Sequence, residues 1–165
     1  MTPLSLSFSV LSNPAVIGLG IGATLSDIRN TFKSLNSMIG HSYTGGPLFR
    51  IAAYELSELG ILGAELAFDH DDNLDAIYFQ FEKVQYPSLL EYLRNTFTWV
   101  SQRNSLQDNF IAIFSNGPIE ITLDPQRPGS SCFLSYTSQA FKHAREAYTA
   151  AINNNDLLPC FSWIT

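Results

Sequence analysis

Apolar and polar residues alternate along two neighbouring segments near the middle of the chain. The apolar positions are Leu62, Ala64, Leu66 and Phe68 in the first segment and Ile77, Phe79 and Phe81 in the second. Because successive side chains of a strand point to opposite faces, this spacing predicts two strands that each bury one face. The connecting segment DHDDNLD is rich in Asp and Asn, which favour turns by bonding to the local backbone. Residues 62–84 are therefore predicted to form a β-hairpin with an acidic turn.

The same alternation predicts further strands on both sides of this hairpin. Single strands are expected over residues 4–11, 49–55 and 132–137, and a second hairpin over residues 110–124. Leu48, Ile51 and Leu59 could also form one face of a helix, so a helix is the alternative to the strand near 49–55. Asn116-Gly117 marks the turn of that second hairpin, since both residues tolerate a positive φ. The polar segment 102–108 is predicted to be a connection.

Apolar residues at helical spacing predict three helices. They are expected over residues 24–35, over residues 87–101, and along the stripe formed by Phe141, Ala144, Tyr148 and Ile152. Thr24 is placed to cap the first helix, and Pro87 suits the first turn of the second. The apolar residues 157–165 are expected to pack back on the body of the protein.

The order of these elements predicts an α+β fold in one domain over residues 1–165. A helix followed by about three strands occurs twice, which favours two repeated α-βββ units. In such a fold an antiparallel sheet has helices packed on one face, and the other face is partly open to a partner.

The composition argues against several classes of binding partner and against a disulfide-rich or membrane-spanning protein. The net charge of −6 argues against nucleic acid and anionic membranes as partners, because phosphate contacts need Lys and Arg. No apolar run is long enough to span a bilayer, and the N-terminus does not resemble a signal peptide, so a cytoplasmic location is expected. The cysteines, Cys132 and Cys160, are too few for a disulfide scaffold or a zinc cluster and are expected to be reduced.

Two segments partly match ligand-binding motifs. Gly18, Gly20 and Ala23 satisfy the G-x-G-x-x-A pattern of dinucleotide-binding folds, yet residues 29–54 contain no acid to bind a ribose. A tight strand-to-helix connection is the better interpretation of these glycines. The acids of the hairpin turn alternate as in a calcium loop, but Leu74 replaces its required glycine, and Gln80 replaces its final Glu. A polar turn is the better interpretation here.

Catalytic motifs are absent from the sequence. His41, His70 and His143 are scattered singly, and no C-x-x-C or G-x-S-x-G occurs. The sequence therefore predicts a binding protein that is not an enzyme and holds no cofactor or metal.

The segment GLGIGATLSDIRNTF resembles the pattern that opens many small bacterial helix-plus-sheet proteins. These include proteins similar to the beta-lactamase-inhibitor-like fold and several immunity proteins of interbacterial toxin systems. The matching positions are Gly20, Gly22, Thr24, Leu25, Asp27 and Ile28. The hairpin GAELAFDHDDNLDAIYFQF is similar to the strand, acidic turn and strand that follow in such proteins, and SSCFLSYTSQAF is similar to their last strand.

This resemblance implies a non-enzymatic protein that neutralises a cognate toxin or effector protein by covering its active site. Acids at the rim of the binding surface would speed association, and aromatic anchors would supply affinity. The predicted partner-binding residues are Asp71, Asp72, Asp75 and Tyr78.

Two other functions fit the same sequence. A secretion chaperone is also small, acidic and α+β, and an obligate dimer would favour it over a monomeric inhibitor. A small-ligand-binding domain or an enzyme would instead use a pocket between the helices and the sheet. A deep polar cleft with convergent carboxylates, or a nucleotide bound at residues 18–23, would favour that third function. The sequence leaves monomer and dimer open.

Overall fold

The described residues fold into one antiparallel sheet of eight strands flanked by helices. The computed structural model describes the backbone of residues 9–35, 37–106, 109–125 and 129–155. The principal helices are α1 (Leu25–Thr31), α2 (Tyr86–Thr96) and α3 (Gln139–Asn155). The strands are β1 (Gly40–His41), β2 (Gly45–Ile51), β3 (Gly63–Asp69), β4 (Leu74–Glu82), β5 (Thr98–Leu106), β6 (Asn109–Asn116), β7 (Ile119–Asp124) and β8 (Ser131–Thr137). The predicted α+β class with an antiparallel sheet is confirmed.

The strand order divides the chain into two halves that meet in the middle of the sheet. The order is β1-β2-β3-β4-β8-β7-β6-β5, and every neighbouring pair is antiparallel. The first half runs from α1 through β1–β4, and the second from α2 through β5–β8. Each half thus supplies a helix and then four strands, where the sequence predicted about three. The last strands of the two halves, β4 and β8, pair with each other.

The main core lies on one face of the sheet, which we call the first face. Inward residues of the strands, such as Leu66, Phe79 and Leu134, pack there against Ile28 of α1 and Leu89 of α2. All five are at most 1% exposed. Both helices bring one apolar stripe to this face, as their helical spacing predicts.

The last helix lies on the second face, which adds a layer to the expected arrangement of helices on one face. Phe141 of α3 is fully buried in a separate cluster with Leu48, Ala67 and Tyr78. Tyr78 lies on β4 between core residues of the first face, so its side chain points the opposite way. The ring centroids of Tyr78 and Phe141 are 6.3 Å apart. Part of the face expected to be open is therefore covered by α3.

Several element boundaries differ from the sequence prediction. The helix predicted over residues 87–101 ends at Thr96, and residues 102–106 of the predicted polar connection belong to β5; its last two residues lie outside the described residues. Thr, Trp and Val at 98–100 favour a strand, and Trp99 packs edge-on against Phe114 with ring centroids 5.3 Å apart. The strand predicted near residues 49–55 is β2, which begins at Gly45 and ends at Ile51.

The two ends of the chain lie partly outside the described residues. Of the strand predicted over residues 4–11, residues 9–11 are helical, and the rest lies outside the description. The apolar segment 157–165, including Cys160, also lies outside it. No helix among the described residues has the length and hydropathy needed to cross a membrane.

Candidate functional site

The acidic turn between β3 and β4 is held in one conformation by its own side chains. Asp69 Oδ1 accepts the backbone N–H groups of Asp71 and Asn73 at 2.9 and 3.0 Å. Asp72 has a positive φ of 61°, which Asp adopts more readily than most residues. Asp71 and Asp72 are exposed, and the side chain of Asp71 is 69% accessible. Two carboxylates are thus presented to solvent from a defined backbone.

The glycine segment before α1 binds this turn. Leu25 N–H donates to Asp72 O at 2.9 Å, Leu74 N–H donates to Ala23 O at 2.8 Å, and Gly22 N–H donates to Leu74 O at 2.7 Å. Gly22 has a φ of 96°, which explains the preference for glycine there. The two segments that carry the sequence resemblance therefore contact each other, and Gly22 takes part in that contact.

The four predicted partner-binding residues do not share one surface. Asp75 is 6% exposed and accepts a hydrogen bond from the Ser138 hydroxyl at the start of α3. Tyr78 is 5% exposed beneath α3. Asp75 is therefore not an exposed acid at the rim, and Tyr78 is not an exposed aromatic anchor, which corrects the prediction for these two residues. Asp71 and Asp72 remain exposed at the turn.

The alternate acids of the turn do not converge. Asp69 binds backbone amides within the turn, whereas Asp75 binds Ser138 in the opposite half of the chain. Within the described part of the chain, no group of three or more His, Cys, Asp or Glu side chains could hold a metal ion.

The polar residues of the second face form a row across the sheet. Paired positions on successive strands place Arg50, Glu65, Tyr78, Ser135 and Thr122 side by side. Arg50 Nη2 lies 2.6 Å from Glu65 Oε2, and the Glu65 side chain is only 1% exposed. A buried carboxylate needs such a partner because desolvation disfavours its charge. The second face thus differs from the apolar first face.

A cavity of about 370 Å³ lies between this face and α3, and we call it the helix–sheet cavity. Its walls include Arg103 of β5, Thr122 and Asp124 of β7, Phe133 and Ser135 of β8, and Arg145 of α3. A second hollow of about 460 Å³ shares Arg103 and Arg145 with it. These sizes fall within the range of ordinary small-molecule sites.

Ion pairs hold α3 beside the cavity. Glu120 of β7 lies 3.0 Å from Lys142 Nζ and 3.4 Å from Arg145 Nη2. Burial raises the pKa of Tyr78, while the charge of Arg145 and its hydrogen bond oppose this shift. The Tyr78 hydroxyl is therefore protonated at neutral pH and lines the cavity as a neutral polar group.

An apolar depression of about 470 Å³ lies on the other side of the molecule, between α1 and the short helices Pro14–Ile17 and Ala53–Glu55. Val16, Phe32 and Glu55 are among the residues that line it. The Glu55 carboxylate accepts the N–H groups of Lys33 and Ser34, both at 2.9 Å, and the Ser34 hydroxyl. These bonds connect the end of α1 to the segment after β2.

Comparisons of the chain with protein-family models, with curated protein sequences and with solved structures identify no match. The residues of the helix–sheet cavity form no sequence motif either. Lys142 and Arg145 are three residues apart, so the sequence predicts that they share one face of a helix. No other feature of the sequence indicates a positively charged site there. Their contact with Glu120 depends on which face of the sheet α3 covers.

Proposed function

We propose that this chain is a non-catalytic binding protein of the immunity type, which neutralises a cognate toxin or effector protein in the cytoplasm by direct contact. The acidic turn is the primary contact with that partner. Asp71 and Asp72 form it, and the partner surface that they recognise is basic.

The observation that carries this proposal is the ordered and exposed conformation of the turn. Its backbone is held by Asp69 and by the bond from Leu25 to Asp72. A loop that is already ordered loses little conformational entropy on binding, so more of the interaction energy appears as affinity. The net charge of −6 adds long-range attraction to a basic surface.

The experiment first captures the partner with the intact protein and identifies it by mass spectrometry. Association is then measured by stopped flow for the wild type and for the double variant Asp71→Lys with Asp72→Lys. We expect the rate constant to fall about tenfold or more at low salt, and less at high salt, because exposed charges steer encounter and are screened by ions.

A matched control separates local contact from total charge. Glu58→Lys with Glu91→Lys makes the same change in net charge at two other exposed positions. This control should slow association much less than the turn variant. Equal slowing of association by both variants, or no slowing by the turn variant, would show that the turn is not part of the binding surface.

A secretion chaperone is the second candidate, and the outer edge of β5, which pairs with no further strand among the described residues, is the feature that favours it. β5 is the last strand in the sheet order, and Trp99 and Val100 remain 39% and 56% exposed there. An edge strand can add an extended segment of a partner by backbone hydrogen bonds. A stable dimer that protects an unfolded partner segment from proteolysis would support the chaperone and contradict the inhibitor.

A further inference from the structure

We propose that the helix–sheet cavity binds a small anionic molecule, one that carries a carboxylate or phosphate group on an apolar body. This site is separate from the acidic turn and does not depend on the proposed inhibitory function.

The charges around the cavity favour an anion. Among the described residues, Arg103 and Arg145 line it together with one carboxylate, that of Asp124. The chain has only 9 basic residues against 15 acidic ones. Two guanidinium groups at one cavity are therefore a local concentration of positive charge in an acidic protein. Glu120 is shared by Lys142 and Arg145, so the adjoining carboxylate faces two cations.

Arg103 is the group most open to a ligand. Its side chain is exposed and forms no hydrogen bond or ion pair with another described residue. Arg145 is held by Glu120, which fixes its guanidinium at the cavity wall. Guanidinium groups bind carboxylate and phosphate oxygens through paired N–H donors, and such bonds are among the stronger ones in proteins.

The remaining surface suits a neutral, partly apolar body. Phe133 and Ile111 supply apolar contact, and the hydroxyls of Thr122 and Ser135 lie on paired positions of β7 and β8. Polar groups make up about half of this lining, and such groups fix the orientation of a bound small molecule. The chemistry of the lining therefore points to an amphipathic anion rather than to a free inorganic ion.

The test uses three probes of similar shape: benzoate, phenyl phosphate and neutral benzyl alcohol. Binding to the full chain is followed by NMR, through the backbone amide signals of Thr122 and Ser135. We expect saturable shifts with at least one of the anions, and binding about tenfold weaker for the alcohol, since the alcohol cannot form a charge-assisted bond to a guanidinium group. The relative affinities of the two anions separate a carboxylate ligand from a phosphate ligand.

Variants then assign the charge contact. Arg103→Gln should weaken binding of the preferred anion about tenfold and leave benzyl alcohol unaffected. Arg29→Gln removes the same charge from α1 on the first face, where Arg29 lies over the ring of Phe49, and should change neither. Absence of saturable binding, equal affinity for the neutral probe, or equal effects of the two variants would overturn the proposal. The Asp71→Lys, Asp72→Lys protein should keep this binding, which distinguishes the two proposals.

Discussion

The Ser138 side chain joins the start of α3 to the sheet. Its hydroxyl oxygen accepts the N–H of Phe141 at 3.0 Å, as an N-cap does, and its hydroxyl proton is donated to Asp75 Oδ1. Ser138 N–H also donates to Asp75 O at 3.0 Å. Asp75 therefore anchors α3 to the sheet. The sequence does not indicate this role, because Asp75 lies among the acids of the predicted turn.

Replacing Ser138 by Ala should lower the free energy of unfolding by about 1–2 kcal/mol. The variant removes the helix cap and also one partner of the buried Asp75 carboxylate, so the loss should lie in the upper part of that range. Urea denaturation followed by circular dichroism measures it. Ser88→Ala, at an exposed position of α2, is the control and should change stability by less than about 0.5 kcal/mol. Equal losses in the two variants would contradict the capping role.

Glu55 makes stability depend on pH. Partial burial of its carboxylate favours the neutral acid, but the hydrogen bonds from Ser34 and Lys33 outweigh this and lower the pKa of Glu55 below its usual value. A group whose pKa is lower in the folded state stabilises the fold above its unfolded pKa of about 4.3. That contribution is lost as the pH falls through the folded pKa.

Glu55→Gln should therefore destabilise the protein by about 1 kcal/mol at pH 6.5 and by progressively less as the pH is lowered towards 3. Urea denaturation of wild type and variant across this pH range provides the comparison. Glu58→Gln, three residues further along at an exposed position, should show no such convergence. A difference between wild type and Glu55→Gln that stays constant with pH would show that the charge of Glu55 is not responsible.

At the scale of elements, the start of β2 depends on a close approach of two backbones. A Cβ at Gly46 would lie 2.1 Å from Asp69 O and 2.3 Å from Phe68 O of β3. The register between β2 and β3 also shifts here, between Gly45 and Leu48, as in a β-bulge. Glycine is required because backbone atoms, unlike the end of a flexible side chain, cannot move aside cheaply.

Gly46→Ala should lower the free energy of unfolding by about 3 kcal/mol, the upper part of the range for overpacked sites. Gly63→Ala is the matched control on β3. A Cβ there would have its nearest contact at 3.7 Å, so we expect a change of less than about 1 kcal/mol. Thermal unfolding of both variants tests the difference, and similar melting temperatures would show that β2 accommodates the methyl group.

The elements that the sequence predicted well are those with a strong period. β3, β4, β7 and β8 alternate over five or more residues, and the turn at Asn116-Gly117 lies where predicted, with Gly117 at φ 61°. β5 escaped prediction because its polar residues, such as Ser101, Gln102 and Arg103, lie on an edge strand without an apolar period. A local sequence pattern does not show that such a segment pairs with a neighbouring strand, here β6, and pairing is what makes it a strand.

The position of α3 could not be predicted for a related reason. Its apolar stripe shows which side of the helix is buried, but not which face of the sheet it covers. That choice is set by long-range pairs, namely Ser138 with Asp75 and Glu120 with Lys142 and Arg145. The helix–sheet cavity follows from the same choice, so its residues could not be recognised from the sequence.

At the scale of the whole molecule, the two halves share one core. A single cluster of buried residues includes Leu66 of β3 and Phe114 of β6, although these strands belong to different halves. At the junction, Phe79 of β4 and Tyr136 of β8 pack edge-on with ring centroids 5.9 Å apart. A shared core and a continuous sheet couple the halves, so unfolding should be one cooperative transition.

Leu66→Ala in the first half tests this coupling, and we expect it to lower the free energy of unfolding by about 3 kcal/mol. Trp99 of β5 reports on the second half by fluorescence, in a background where Trp163 is replaced by Phe. If the halves unfold together, the Trp99 signal and the circular dichroism signal should shift by the same amount in urea. If each unit of a helix and four strands unfolded by itself, the urea midpoint of the Trp99 fluorescence would stay at its wild-type value. That result would show two units that merely adjoin at β4 and β8, because a cavity in one of them would then leave the stability of the other unchanged.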